Sequence, residues 1–390
     1  MSKRIRLLCI LLFISLFSLY SESAYTPSWL TLDNELDSRW NWHEVGDTLE
    51  GRLYQSVGVS NPTHKVLILC SKKSSSYILA FNKLIEVVEK KLPSIEYYFF
   101  NFNKDLQRAS AIVEYGMEQN VDLIIAMGSE AMAFSSNNLL DIGIPIVTCI
   151  NKDPVLLGYV DDYKSGSGTN IAYTSVNVPL NVNVEWLLKL RPSMKSIAVL
   201  YDPDHSSVVG SEVLPLMAYL EENNIKYFDG AVSSGPELQS NLAETIKLGL
   251  DFMIKEDPGL NNSIFWVTSS TNIFSEMEVI SKNTGIVPVV TSVPNIVNGS
   301  EYSAMLAFGI DRRNSANLAA LYVMDILFSN SLPGDLPVGV VTPPDISISF
   351  RTAKRIGEII PFEIFENASF VYGYDGTILR EYGKTVENKQ

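Results

Sequence analysis

From His64 onward the chain alternates two hydrophobic patterns. Val66 to Leu69 is a continuous apolar run, the signature of a strand buried on both faces in a parallel sheet. Ser71 to Ser76 is a polar turn. Ile78, Phe81, Leu84, Ile85 and Val88 then recur at helical spacing, which predicts an amphipathic helix ending before Pro93. The alternation continues through IEYYFF at Ile95, Ile124-Ile125-Ala126 and Ile146-Val147. Strands joined by helix-length connections imply parallel pairing.

The pattern is then written a second time. KVLILCSKKSSS at Lys65 is echoed by KSIAVLYDPDHSS at Lys195. IEYYFF at Ile95 is echoed by IKYFDG at Ile225, VDLIIAMGS at Val121 by NSIFWVTSS at Asn262, and IPIVT at Ile144 by VPVVT at Val287. Four matched segments in one order, at a domain-sized period, predict one α/β unit built twice. The expected fold is therefore α/β, with two doubly wound parallel-sheet lobes and a central cleft. Pro215 falls inside the first helix of the second copy and should shorten or kink it. After Ser300 come a short strand and a polar turn. A helix with apolar positions Leu318, Leu321, Tyr322, Met324 and Leu327 follows, ending at Pro333-Gly334. Closing strands at Val338–Val341 and Ile346–Ile348 and a helix at Ala353–Ile360 complete the pattern.

Residues 24–63 show no clean period. Trp29, Trp40 and Trp42 interleave with Asp33, Glu35, Asp37 and Glu44, as expected of an arm packed onto the surface by its aromatics. Ahead of it, Lys3, Arg4 and Arg6 precede the apolar run Leu7 to Tyr20 and the small residues around Ser23. That is the layout of a cleaved export signal, too short to span a bilayer comfortably; an uncleaved anchor is the alternative. No later stretch is long and apolar enough to span a membrane.

The whole chain of 390 residues carries −14, and removing residues 1–23, with three basic groups and one acid, makes it more negative still. This disfavours nucleic acid and anionic lipid as partners, while a local cleft can oppose the overall sign. Cys70 and Cys149 end the first and fourth strands of lobe one. With strand order 2-1-3-4 the third strand separates them by about 9.6 Å, beyond disulfide reach. Both are expected as buried thiols.

Ligands of open α/β sheets bind beyond the carboxyl ends of the strands. In lobe one these ends carry Ser71, Lys72, Ser74, Gly128, Ser129, Asn151 and Asp153. In lobe two they carry Tyr201, Asp202, Ser206, Ser207, Thr268, Ser269, Ser270, Thr291 and Ser292. Any one of these hydroxyls could be a helix cap. Their concentration on both rims suits hydrogen bonding to a small polar solute, with helix N-termini adding a preference for anions. Catalysis is poorly supported: there is no G-x-S-x-G, no H-E-x-x-H and no phosphate loop, SGSGT at Ser165 lacks nucleotide-loop spacing, and His205 beside Asp204 and Ser206 shares a turn whose adjacent residues rarely face each other. His43, His64 and His205 have no partner at metal spacing. No cofactor or metal is expected.

NKDPV at Asn151, LRPSMKSIAVLYDP at Leu190, the GID turn at Gly309 and AKRIGEIIPFEIFENASFV at Ala353 together resemble the periplasmic ABC-transporter substrate-binding proteins of the family with tryptophan- and tyrosine-binding members. The resemblance runs from about His64 to Tyr372. It implies a type I Venus flytrap with these parts: signal 1–23, extension 24–63, lobe one 64–175 plus 301–330, lobe two 176–300 plus 331–375, and tail 376–390. It also implies a monomer that hands a small, amino-acid-like or other organic solute to a membrane permease. A sensor module that docks its solute on a receptor is the alternative. The strand ending near Phe308 would return the chain to lobe one and bring Asp311 and Arg312 to the cleft. There Arg312, held by Asp311, would grip an anionic group. The chain departs from the family pattern at Asn170-Ile171-Ala172-Tyr173, at Ser269-Ser270 where an Asp-Asn pair is common, and at Arg312-Arg313 where aromatics are common. Ser269-Ser270 removes the expected lobe-two carboxylate.

Overall fold

The computed structural model describes residues 30–59 and 61–386. The stretch expected to be an export signal, and Trp29, lie outside the described residues.

Two sheets carry the molecule. In the first, β3 (His64–Cys70), β4 (Ile95–Asn101), β5 (Leu123–Met127) and β6 (Ile146–Cys149) run parallel in the order β4-β3-β5-β6. In the second, β9 (Ser196–Tyr201), β10 (Lys226–Ala231), β11 (Ser263–Val267) and β12 (Val289–Thr291) repeat that arrangement as β10-β9-β11-β12. The sequence echo is thus a structural repeat. Val66 to Cys70 and Leu123 to Met127 have no exposed surface, which explains why these strands read as unbroken apolar runs.

Cys70 and Cys149 end β3 and β6 with β5 between them, and both are free and buried. Burial raises both thiols, Cys149 to about 12, so neither is a nucleophile at neutral pH.

Each sheet is extended by a hairpin from a chain end. Residues 40–56 form β1 (Trp40–Val45) and β2 (Gly51–Ser56), antiparallel to each other and added to the edge at β4. The arm is held by its aromatics, as expected. Trp40 is buried against Tyr97, and its indole N–H donates to Glu89 at 2.9 Å; burying such a ring contributes roughly 2–3 kcal/mol. At the other end β17 (Ile378–Glu381) and β18 (Lys384–Thr385) extend the second sheet past β16 (Phe370–Tyr372).

The lobe boundaries differ from expectation. β13 (Leu306–Gly309) stays in the second sheet, parallel to β12 and antiparallel to β15 (Asp345–Ser349). The chain crosses only at Ile310–Asp311, so that the helix Arg312–Leu327 packs in the first core. Its buried face includes most of the expected stripe, with Leu318, Met324 and Leu327 packed against that core, and takes in small residues besides. Ala316, Ala319, Ala320, Val323 and Ile326 are buried with Tyr322, whereas Leu321 is 44% exposed. Small residues let this helix lie close against the helix Ser75–Val88, and no leucine-only stripe could reveal that. Residues 333–340 also remain with lobe one: Val338 joins a lobe-one core, and β14 (Gly339–Val340) pairs with β8 (Thr174–Ser175) at the crossing. The helix expected at Ala353–Ile360 runs Phe350–Ile356 instead, stopped by Gly357 in the left-handed region, and a short helix Phe362–Glu366 follows it.

Candidate functional site

The carboxyl ends of the two parallel units face each other, and side chains of both lobes meet there. The first helix of lobe two is interrupted as Pro215 predicts. A short α-turn at Ser206–Val208 passes into a π-turn at Val209–Val213 before the α-helix Leu214–Glu222. Pro215 has no N–H for the Ser211 carbonyl, and its ring crowds that carbonyl, so the preceding turn widens. Glu212 sits on the widened turn.

Glu212 is the centre of the site. Lys152 of lobe one donates to its Oε1 at 2.5 Å, and both side chains are more than nine-tenths buried. The Ser269 N–H donates to Oε2 at 3.0 Å and the Ser292 hydroxyl at 3.1 Å. The Ser269 hydroxyl touches both Glu212 and Lys152, and Asn177 in the crossing reaches Oε1 at 3.5 Å. Burial alone would raise the Glu212 carboxyl, but Lys152 and the Ser269 donors hold it below the usual range. Burial, with Arg312 adding to it, lowers the Lys152 ammonium, and Glu212 opposes that.

Arg312 reaches the same space from the crossing. It is 7% exposed, and among the described residues its guanidinium makes no hydrogen bond; Nε is fully enclosed without a partner. Its electrostatic neighbours are Glu212, Asp311 and Tyr77. Tyr77 hydrogen-bonds Ser71 at 3.2 Å, and Ser71 donates to Glu130 at 3.0 Å. Gly128, at φ +99°, keeps room for this ring, since a Cβ there would lie 2.0 Å from the Tyr77 hydroxyl. Lys72 and His205 face Glu130 across the rim. Burial, reinforced by Lys152 and Lys72, pushes His205 down to about 4, so it is neutral.

The residues named from sequence divide accordingly. Ser71, Lys72, Gly128, Ser269 and Arg312 gather at this junction. Ser129 accepts from the Lys152 N–H at 3.0 Å and so positions that lysine. Several others use their polar groups inside the fold. Asn151 bonds the carbonyls of Lys152 and Thr174. Asp153 caps the turn at Val155–Leu156 and accepts from Tyr163. Asp202 accepts from Ser234 and Asn272. Ser270 bonds the Asp202 N–H, Thr291 the Val293 N–H, and Tyr201 the Asp229 carboxylate. Ser74 is an N-cap position without a side-chain cap bond, and Ser206 is exposed. Asp311 caps its helix through the Arg313 N–H and accepts from Asn295, both at 2.8 Å, rather than gripping Arg312.

Two central residues were missed. Lys152 lies between Asn151 and Asp153, and it is the middle residue of the three that turns to the cleft. Glu212 supplies the lobe-two carboxylate whose loss Ser269-Ser270 suggested. Its nearest sequence signal was Pro215, three residues on.

Among the described residues no group of histidine, cysteine and carboxylate side chains could hold a metal ion, and no helix is long and apolar enough to cross a membrane.

Two parallel-sheet lobes, joined by crossing strands and meeting at their strand ends, define the fold of type I periplasmic binding proteins. The chain belongs to the family of ABC transporter substrate binding proteins, which it matches over residues 83–371. Among solved structures it is similar to a conserved domain protein from Vibrio cholerae, with 20% identity, TM-score 0.63 and coverage of 79% of this chain and 99% of that one. It is similar to a ligand-free, open substrate-binding protein with adhesive properties from Clostridium difficile, with 23% identity, TM-score 0.61 and coverage of 78% and 98%. An ABC domain from Streptococcus pneumonia in complex with L-Trp shares 20% identity at TM-score 0.63, with coverage of 80% and 100%. At these identities the likeness is one of fold. No curated protein matches the sequence.

Proposed function

We propose that this chain is the exported solute receptor of an ABC importer, without catalytic activity of its own. It captures one small polar solute between its lobes as a monomer and presents it to the membrane permease. The solute carries an anionic or strongly accepting group that seats on Arg312. The observation that carries this reading is the Arg312 guanidinium, buried between the lobes with no hydrogen bond among the described residues. A buried donor group of this kind costs free energy until an acceptor meets it, and its planar fork matches a carboxylate or phosphate. Family membership supports solute binding; the electrostatics of the cleft support the sign of the solute.

Native mass spectrometry of freshly purified protein tests the reading. A retained small molecule bearing a carboxylate or phosphate, released on denaturation, is the expected result. A retained neutral sugar or a cation would overturn the assignment of Arg312.

A further inference from the structure

Resting on that reading, we infer that the solute is an anion without an ammonium group, because the position where the cleft could receive an ammonium is already filled by the protein's own Lys152. A zwitterion needs two unmet partners, one cationic and one anionic. Arg312 is the first. Glu212 would be the second, placed in lobe two opposite the Lys152 backbone, but its oxygens already accept from Lys152, the Ser269 N–H and the Ser292 hydroxyl.

The other carboxylates nearby are also engaged. Glu130 takes the Ser71 hydroxyl and pairs with Lys104 at 3.7 Å, and Asp311 caps its own helix. A solute ammonium at Glu212 would have to expel Lys152, leaving a buried lysine beside the positive charge of Arg312. That exchange trades one ion pair for another and strands a charge, which is costly in a water-poor site. Rejection through an unpaired charge is a recognised source of specificity. A carboxylate whose 2-position bears hydrogen, hydroxyl or oxo meets Arg312 and leaves the pair intact.

Matched acids test this by calorimetry on the mature chain: 3-phenylpropionate, 3-phenyllactate and phenylpyruvate against L-phenylalanine, and glutarate and 2-oxoglutarate against L-glutamate. In at least one series the acid without nitrogen should bind about tenfold or more tighter than the amino acid. Lys152→Met, which leaves Glu212 unpaired, should shrink or reverse that preference. Lys152→Met with Glu212→Gln, which leaves neither charge, should restore it, and this double variant covers the case in which the single one folds poorly. Amino acids binding as tightly as their partners in the wild type would overturn the inference and leave the anion reading intact. Failure of every acid to bind, with a neutral sugar or a cation retained in native mass spectrometry, would overturn both.

Discussion

Arg312 and Arg313 are neighbours in sequence with opposite surroundings. Arg312 is enclosed beside Tyr77 and Glu212, whereas Arg313 reaches out to the Tyr382 hydroxyl on the C-terminal hairpin at 2.8 Å. With the retained solute, Arg312→Gln should cost about 2–5 kcal/mol of binding, and Arg313→Gln far less. Titration calorimetry on both variants checks this; equal small losses would place the anion site elsewhere.

His205 makes a second prediction at this scale. Its folded value of about 4 lies below the ordinary 6.5. The unfolded chain therefore binds a proton before the folded one does. The stability it contributes is complete above about 6.5 and is lost as pH falls towards about 4. Thermal unfolding should show that slope, and His205→Gln should flatten it between those limits. Glu130, Glu212 and Asp202, all held below their usual values, add their own loss of stability from the bottom of that window downward.

At the scale of elements, the π-turn at Val209–Val213 aims Glu212 into the cleft, and Pro215 is its cause. Pro215→Ala lets a regular α-helix run through this segment, which rotates residue 212 relative to Ser269 and Ser292. Solute affinity should fall about tenfold with no loss of melting temperature, since the interior proline was itself unfavourable. An unchanged affinity would mean that Glu212 needs no special turn.

The elements differ in how far they could be read from sequence. Strands such as Val66–Leu69 are buried on both faces and announce themselves, and so does the doubled order. The face of the helix Arg312–Leu327 was legible in part: Leu318, Tyr322, Met324 and Leu327 meet the first core, whereas the buried alanines, suited to close approach, carry no hydrophobic stripe. The arm at 40–56 hid its hairpin because its pattern serves two demands: pairing with β4 and placing Trp40 in the core. Of the candidate site, topology brought Ser71, Ser269, Ser292 and Arg312 to the junction, but not Ser74, Ser206 or Ser270. The Lys152–Glu212 pair was not legible, because its members lie 60 positions apart and meet only when the lobes face each other.

On the scale of the whole molecule, the lobes are joined at the crossings near Thr174–Ser175, Ile310–Asp311 and Gly339–Val340, and touch across the cleft through Lys152, Glu212 and Ser269. A buried ion pair roughly balances its attraction against the loss of hydration, so this contact alone holds closure weakly. An anion seated on Arg312, as proposed, would add the missing interaction and shift the population towards closed lobes. Small-angle scattering on chain stripped of solute, with and without the solute that native mass spectrometry identifies, tests this directly. The expected result is a smaller radius of gyration on saturation for the wild type and none of that change for Arg312→Gln at the same concentration. A wild-type profile unchanged at saturation would contradict it.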